Sequence, residues 1–140
     1  MLSSKAQYAC LAMLQLAQEH AAAQPVQAPR IAERHGIPPT FLVQILHELK
    51  CAGLVASTRG AAGGYRLSRP RGDITLADVV DVFESTGEPL DCAAPHSPLA
   101  SVMRDVCCEL VRARREQLQA ATLSELADRA AAGAGAMWVI

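Results

Sequence analysis

The chain has 140 residues, of which 51% are hydrophobic, and a formal net charge of -1; that is enough for one domain with a real core and an appended helix. No apolar run approaches the ~20 residues of a membrane span and the N-terminus lacks a signal-peptide pattern, so the sequence predicts a cytoplasmic protein with no membrane partner. Five cysteines, an odd number unevenly spaced, do not form a secreted disulfide framework, which leaves reduced thiols, metal ligands or redox sensors. The small net charge hides an asymmetry. Residues 30–71 hold seven Lys/Arg against two acids (+5), and residues 72–140 hold five Arg against eleven acids (-6). An acidic second half repels nucleic acid, so any such contact falls to the basic middle.

Along the chain, Ser3 or Ser4 can cap a helix running to about Glu19, with Tyr8, Leu11, Ala12, Met13 and Leu16 as its buried stripe. Ala21 to Ala28, with Pro25, is a break. Pro29 suits the first turn of a short second helix through Ile31, Ala32 and Arg34 that stops at Gly36. Ile37 to Thr40 is a tight connector into a third helix, about Thr40 to Cys51. One face of that helix carries Phe41, Leu42, Ile45, Leu46 and Leu49; the opposite face carries Thr40, Val43, Gln44, His47 and Lys50. Two helices joined at a short Gly-containing turn form a helix-turn-helix, whose second helix enters the major groove. Thr40 and Gln44 lie four apart on the outer face, where Gln can pair with adenine and Thr can reach a base edge or a thymine methyl; Val43 between them can touch a methyl. The alternative is that all of these are ordinary exposed helix residues.

Leu54 to Leu67 follows past Gly53, a natural residue for a helix C-terminus. An apolar run ends at Thr58, a glycine loop spans Gly60 to Gly64, and Tyr65 and Leu67 alternate with Arg66 and Ser68. That is a hairpin, the wing of a winged helix-turn-helix. Arg59, Arg66, Arg69 and Arg71, with no acid before Asp73, read as a wing lying along phosphates or as a solvated basic hairpin. Gly60, Gly63 and Gly64 let backbone approach DNA closely beside Tyr65.

Thr75 with Asp78 resembles a capping pair, starting a helix to about Ser85 that ends near Gly87. Pro89, Pro95 and Pro98 make residues 88–98 a loop. From there Leu99, Met103, Val106, Leu110 and Ala113 alternate by four and three, the seam of a helix that packs along a partner. A helix from Leu99 to about Ala120 is expected, its seam covered by a second subunit in preference to this chain. Thr122 and Glu125 form a second capping box, starting a helix to about Ala131, and Met137 to Ile140 is an apolar tail able to dock. The fold class is mainly α with a small β-hairpin wing. Its organisation is a DNA-binding domain over 1–87, a sensor loop over 88–98, and a dimerisation helix and C-terminal segment over 99–140.

Ser4-Lys5 with Tyr8-Ala9, Ile31 to Arg34, Leu42, Gln44, Leu49, Gly53 to Val55, Arg59-Gly60, Gly63 to Tyr65, Ile74 to Val80 and Thr122 to Leu126 together resemble the Rrf-type winged-helix regulators over nearly the whole chain. The resemblance implies a dimeric, sequence-specific transcriptional regulator binding a palindromic operator in double-stranded DNA, with a base-reading Gln44 and a minor-groove Arg59. Cluster-binding members hold iron-sulfur with three cysteines of one loop. Cys92 matches the first, but Pro98 and Arg104 stand at the other two, so that type of site is excluded. A second pattern in the family, a [2Fe-2S] cluster held by two cysteines with His and Glu across the dimer, is matched in part by Cys92, Cys107 or Cys108, and His35, with Gln7 where the Glu would be. A cluster, thiol redox sensing and inert cysteines all stand as readings, as does a cofactor-free repressor controlled by a partner protein. Cys10 and Cys51, within helices, read as core or boundary fillers. No nucleophile-base-acid constellation or phosphate loop appears, so the chain does not read as an enzyme.

Overall fold

In the computed structural model, which describes residues 2–20, 24–84 and 94–137 with side chains to residue 133, α1 spans Ser4–Gln18. The Ser3 hydroxyl accepts from the Ala6 N–H at 3.1 Å and so caps it. The inward face of α1 is built of small residues: Ala6, Ala9, Ala12 and Ala17 are fully buried beside Met13 and Leu16. Leu11, expected in the buried stripe, is 39% exposed, and Tyr8 is half-buried. Leu11 lies two residues from Met13, about 160° round the helix, so the alanines and not the larger residue define the core face.

α2 spans Ala28–His35 and stops at Gly36, whose φ of 65° is the left-handed conformation that ends a helix. α3 spans Pro39–Cys51 and buries Leu42, Ile45, Leu46 and Leu49. Tyr8 meets Phe41 edge to face at 5.8 Å between ring centroids, and Lys5 Nζ lies 2.7 Å from Glu48 Oε2, so α1 holds α3 at two points. β1 (Val55–Thr58) and β2 (Gly64–Leu67) pair antiparallel, in register Val55 with Leu67 and Thr58 with Gly64. Val26 adds a one-residue third strand, its N–H and C=O both bonded to Tyr65 at 2.8 Å.

After one 3₁₀ turn at Arg71–Asp73, α4 spans Leu76–Phe83. The Thr75/Asp78 capping box is complete in both directions (3.2 and 3.0 Å). The helix stops two residues before the expected Ser85, because Glu84 is already extended. α5 spans Ala100–Ala120 and α6 spans Leu123–Met137. α6 outruns the expected end at Ala131, since alanines at 130–132, 134 and 136 sustain helix despite two glycines. At its start the Thr122 hydroxyl accepts from the Glu125 N–H at 3.1 Å, while the Glu125 carboxylate turns to Arg129 at 3.2 Å. Thr122 bridges Thr75, and Leu123 and Ala127 are buried in the core beside α1. The tail beyond Met137 and loop residues 88–93, with Cys92, lie outside the described residues. Among the described residues no helix is long and apolar enough to cross a membrane.

The wing depends on Gly64, where an added Cβ would lie 2.5 Å from the Val26 carbonyl oxygen. Gly64→Ala must open the Val26–Tyr65 bridge, costing about 1–3 kcal/mol as overpacking does. Hydrogen exchange should show lost protection at Val26 and Tyr65 with α1 and α3 unchanged; intact protection there would contradict this packing.

Candidate nucleic-acid interface

The buried side of α3 is fixed by the core, which turns Thr40, Val43, Gln44, His47 and Lys50 outward; all five are exposed. The wing stands beside it. Arg59, Gly60 and Arg66 are exposed, Gly64 and Tyr65 are half-buried, and Gly63 is buried within the loop, where a Cβ would collide with Thr58 O. Gln27 Nε2 donates to Ala61 O at 3.0 Å, tying the wing loop to the start of α2. The four arginines of the wing divide. Arg69 lies 3.9 Å from Asp78 and Arg71 3.5 Å from Asp128, so the acidic half partly neutralises both. Lys50, Arg59 and Arg66 form no ion pair among the described residues and remain available to phosphates. Sequence alone could not show this, because Asp128 is far away in the chain.

The α2–α3 turn is held by a polar chain from α1. Gln15, 1% exposed, donates through Nε2 to Glu19 at 3.1 Å, and its Oε1 lies 2.8 Å from His35 Nε2. The carbonyl can only accept, so His35 Nε2 carries the hydrogen and only Nδ1 is left for any other partner. Glu19 in turn pairs with Arg30 at 2.5 Å. Burial, and then the neighbouring Arg34 charge, hold the His35 pKa below its ordinary 6.5.

The cysteines separate by environment. Cys10 is buried in the core, and burial with the nearby Glu84 charge pushes its thiol up to about 11, so it is inert at neutral pH. Cys51, expected as a filler, is exposed at the end of α3, its Sγ 3.6 Å from His47 Nε2. Cys107 is half-buried and Cys108 exposed on α5, both free thiols. Gln7 Nε2 donates to Leu2 O at 2.8 Å. Among the described residues no three His, Cys, Asp or Glu side chains of this one chain come close enough to hold a metal ion.

The seam residues at the start of and along α5 are uncovered among the described residues. Leu99 is 70% exposed and Leu110 65%, with Met103, Val106 and Ala113 also exposed; Val102, which the seam spacing omits, joins them. The other face, with Cys107, Val111, Arg115 and Leu118, turns toward the body.

A profile of the Rrf2 family, described as "Iron-dependent Transcriptional regulator", matches residues 2–129. The chain belongs to the Rrf2 family. It is 33% identical over 129 residues to Protein rrf2 of Nitratidesulfovibrio vulgaris (strain Hildenborough), covering 89% of this chain and 85% of that one. Among solved structures, CymR, the global cysteine regulator of B. subtilis, superposes with a TM-score of 0.82 at 31% identity, covering 92% of this chain and 97% of that one. T. potens IscR superposes at 0.78 with 34% identity, covering 93% and 88%. The Rrf2 chain described here is thus a winged-helix, DNA-binding transcriptional regulator and not an enzyme.

Two measurements test the interface. Arg59→Ala should weaken binding to duplexes selected by the wild-type protein from a random pool by about 1–3 kcal/mol, whereas Gln44→Ala should lose discrimination among those duplexes more than affinity for unselected DNA; equal losses on both would mean Gln44 reads no base. The His35 shift has a definite sign: the folded state prefers the neutral ring, so its contribution is present above pH 6.5 and declines as pH falls from there toward the lower folded-state value. Denaturation of wild type against His35→Gln should show a stability difference that shrinks on acidification below pH 6.5, and a pH-independent difference would contradict it.

Proposed function

We propose that the protein is a cytoplasmic homodimer that binds a palindromic operator, with Thr40, Val43, Gln44 and His47 in the major groove and Arg59 in the adjoining minor groove. The observation that carries this is the pairing of two unoccupied surfaces. One is the polar outer face of α3 beside free wing cations; the other is the apolar seam of α5 from Leu99 to Ala113. An apolar stripe along a helix of 21 residues, about 31 Å long, is unfavourable in water and fits a second copy of itself around a two-fold axis. In this reading residues 1–87 bind DNA, 88–98 form the sensing loop, and 99–140 dimerise. Leu110→Glu would bury two unpaired carboxylates at the axis, at a cost of several kcal/mol, and should yield monomers in sedimentation velocity; a persistent dimer would put the interface elsewhere.

Sensing is assigned to the sulfur atoms of Cys92, Cys107 and Cys108. Cys107 is half-buried on the face of α5 that turns toward the body, where a change in its oxidation state bears on how α5 sits against that body. The fit to a [2Fe-2S] cluster is partial. Two thiols suit iron, but His35 offers only Nδ1, and the Gln7 amide is a weaker ligand than a carboxylate and is already bonded to Leu2. Such a cluster, if loaded, would supply a redox-sensitive link between subunits. A response of the thiols themselves, without cofactor, is the reading these bonds favour. Protein purified without oxygen decides between them: a colourless, iron-free dimer whose DNA affinity still changes with peroxide supports the thiol response, and iron with sulfide near two per subunit overturns it.

A further inference from the structure

Two ion pairs tie α5 to α4, Arg115–Asp81 and Arg114–Glu84, and the second connects onward to α1. Glu84 ends α4, and its two carboxylate oxygens point to different elements: Oε1 accepts from the Ser3 N–H at 2.6 Å, at the cap of α1, and Oε2 receives Arg114 Nη2 of α5 at 2.5 Å. The preceding residue, Phe83, lies under Lys5 of α1, whose Nζ is 5.5 Å from the ring centroid. Lys5 is the same side chain that pairs with Glu48 on α3 at 2.7 Å. The Ser3 N–H first, and the Arg114 guanidinium after it, hold the Glu84 carboxyl below its ordinary range, so it stays charged. Meanwhile α5 itself buries little: Ala100 is its one fully buried residue.

We propose that Glu84 and Arg114, acting through Ser3, Phe83 and Lys5, position the recognition helix α3 relative to the dimerisation helix α5, and so set the spacing of the two reading heads on DNA. Both are positioning residues that touch no base in this arrangement. The inference rests on α5 being the dimer helix. α3 has two polar or aromatic ties to α1, α1 has two to the end of α4, and that end has one to α5, so an altered α5 reaches α3 along a continuous set of contacts. Arg115, which holds both carboxylate oxygens of Asp81 earlier on α4 at 2.6 Å, anchors α5 to α4 alone among its hydrogen bonds.

The test uses the full chain and duplexes selected from a random pool by the wild-type protein, compared with the same duplexes in which one half-site is scrambled. Glu84→Gln keeps a carbonyl to accept from Ser3 but removes the charge that holds Arg114; Arg114→Gln removes the other side. Each should weaken binding to the two-half-site duplex by about 3- to 30-fold and leave the single-half-site affinity within twofold. The double variant should be no weaker than either single one, and Arg114→Lys should restore most of the affinity. Sedimentation run in parallel should show dimers throughout. Equal loss on both duplexes, no loss on either, or additive losses would overturn the positioning role. A wild-type protein that is monomeric in sedimentation would instead overturn the dimer reading, and is scored apart from the DNA comparison.

Discussion

The packing of α1 against five neighbours is the constraint on which the rest of this structure depends. α2, α3, α4, α6 and the wing strand β2 all close on it, and they can do so because its inner face is alanine at four positions, each at most 1% exposed. Small side chains let helix axes approach, and a close-packed interior then leaves little freedom in how the neighbours sit. The orientation of the reading helix is therefore not set by α3 alone. It follows from α1 through the buried leucines and isoleucine of α3, the Tyr8–Phe41 contact and the Lys5–Glu48 pair. The buried Gln15 fits the same scheme, since a polar group at 1% exposure is tolerated only because both ends of its amide are bonded.

Most of the fold was legible in the sequence because its punctuation is chemically specific. Ser3, Gly36, Gly53 and the Thr75/Asp78 box each act where their chemistry predicts. In α1, position on the helix outweighs side-chain size. Leu11 looks like a core residue by type but lies on the side of α1 away from Met13, while the alanines that form the core carry little hydrophobic signal. The end of α6 carries little signal for a related reason, as an alanine-rich run with interspersed glycines reads equally as tail or helix.

The candidate interface was legible as a location and less so as a charge distribution. Periodicity put Thr40, Val43, Gln44, His47 and Lys50 on one face, and the structure places them there. Counting arginines in the wing, however, treats them as equivalent. Arg69 pairs with Asp78 only nine residues on, whereas the pairing of Arg71 with Asp128 depends on how α6 folds back onto the 3₁₀ turn, a long-range arrangement with no local signal. The acidic second half thus pairs with Arg69 and Arg71 and leaves Arg59 and Arg66 as the wing cations without an ion pair among the described residues.

The same separation of buried and polar contacts explains how one small chain can combine a rigid reader with an adjustable frame. Within the winged helix a closely packed apolar core joins the helices, so a shift in one is resisted by the others. Between α4 and α5 the outward-lying ties are the guanidinium–carboxylate pairs Arg114–Glu84 and Arg115–Asp81, with side chains between 18% and 49% exposed. Pairs at such exposure contribute little to global stability, yet their direction is specific, since each needs a particular register of α5 on α4. A joint of that kind can change register at small cost without unfolding either side. In the dimer proposed above, that division would let the two reading heads move relative to each other while each stays intact, with the core holding each head and the charged joint setting the distance between them.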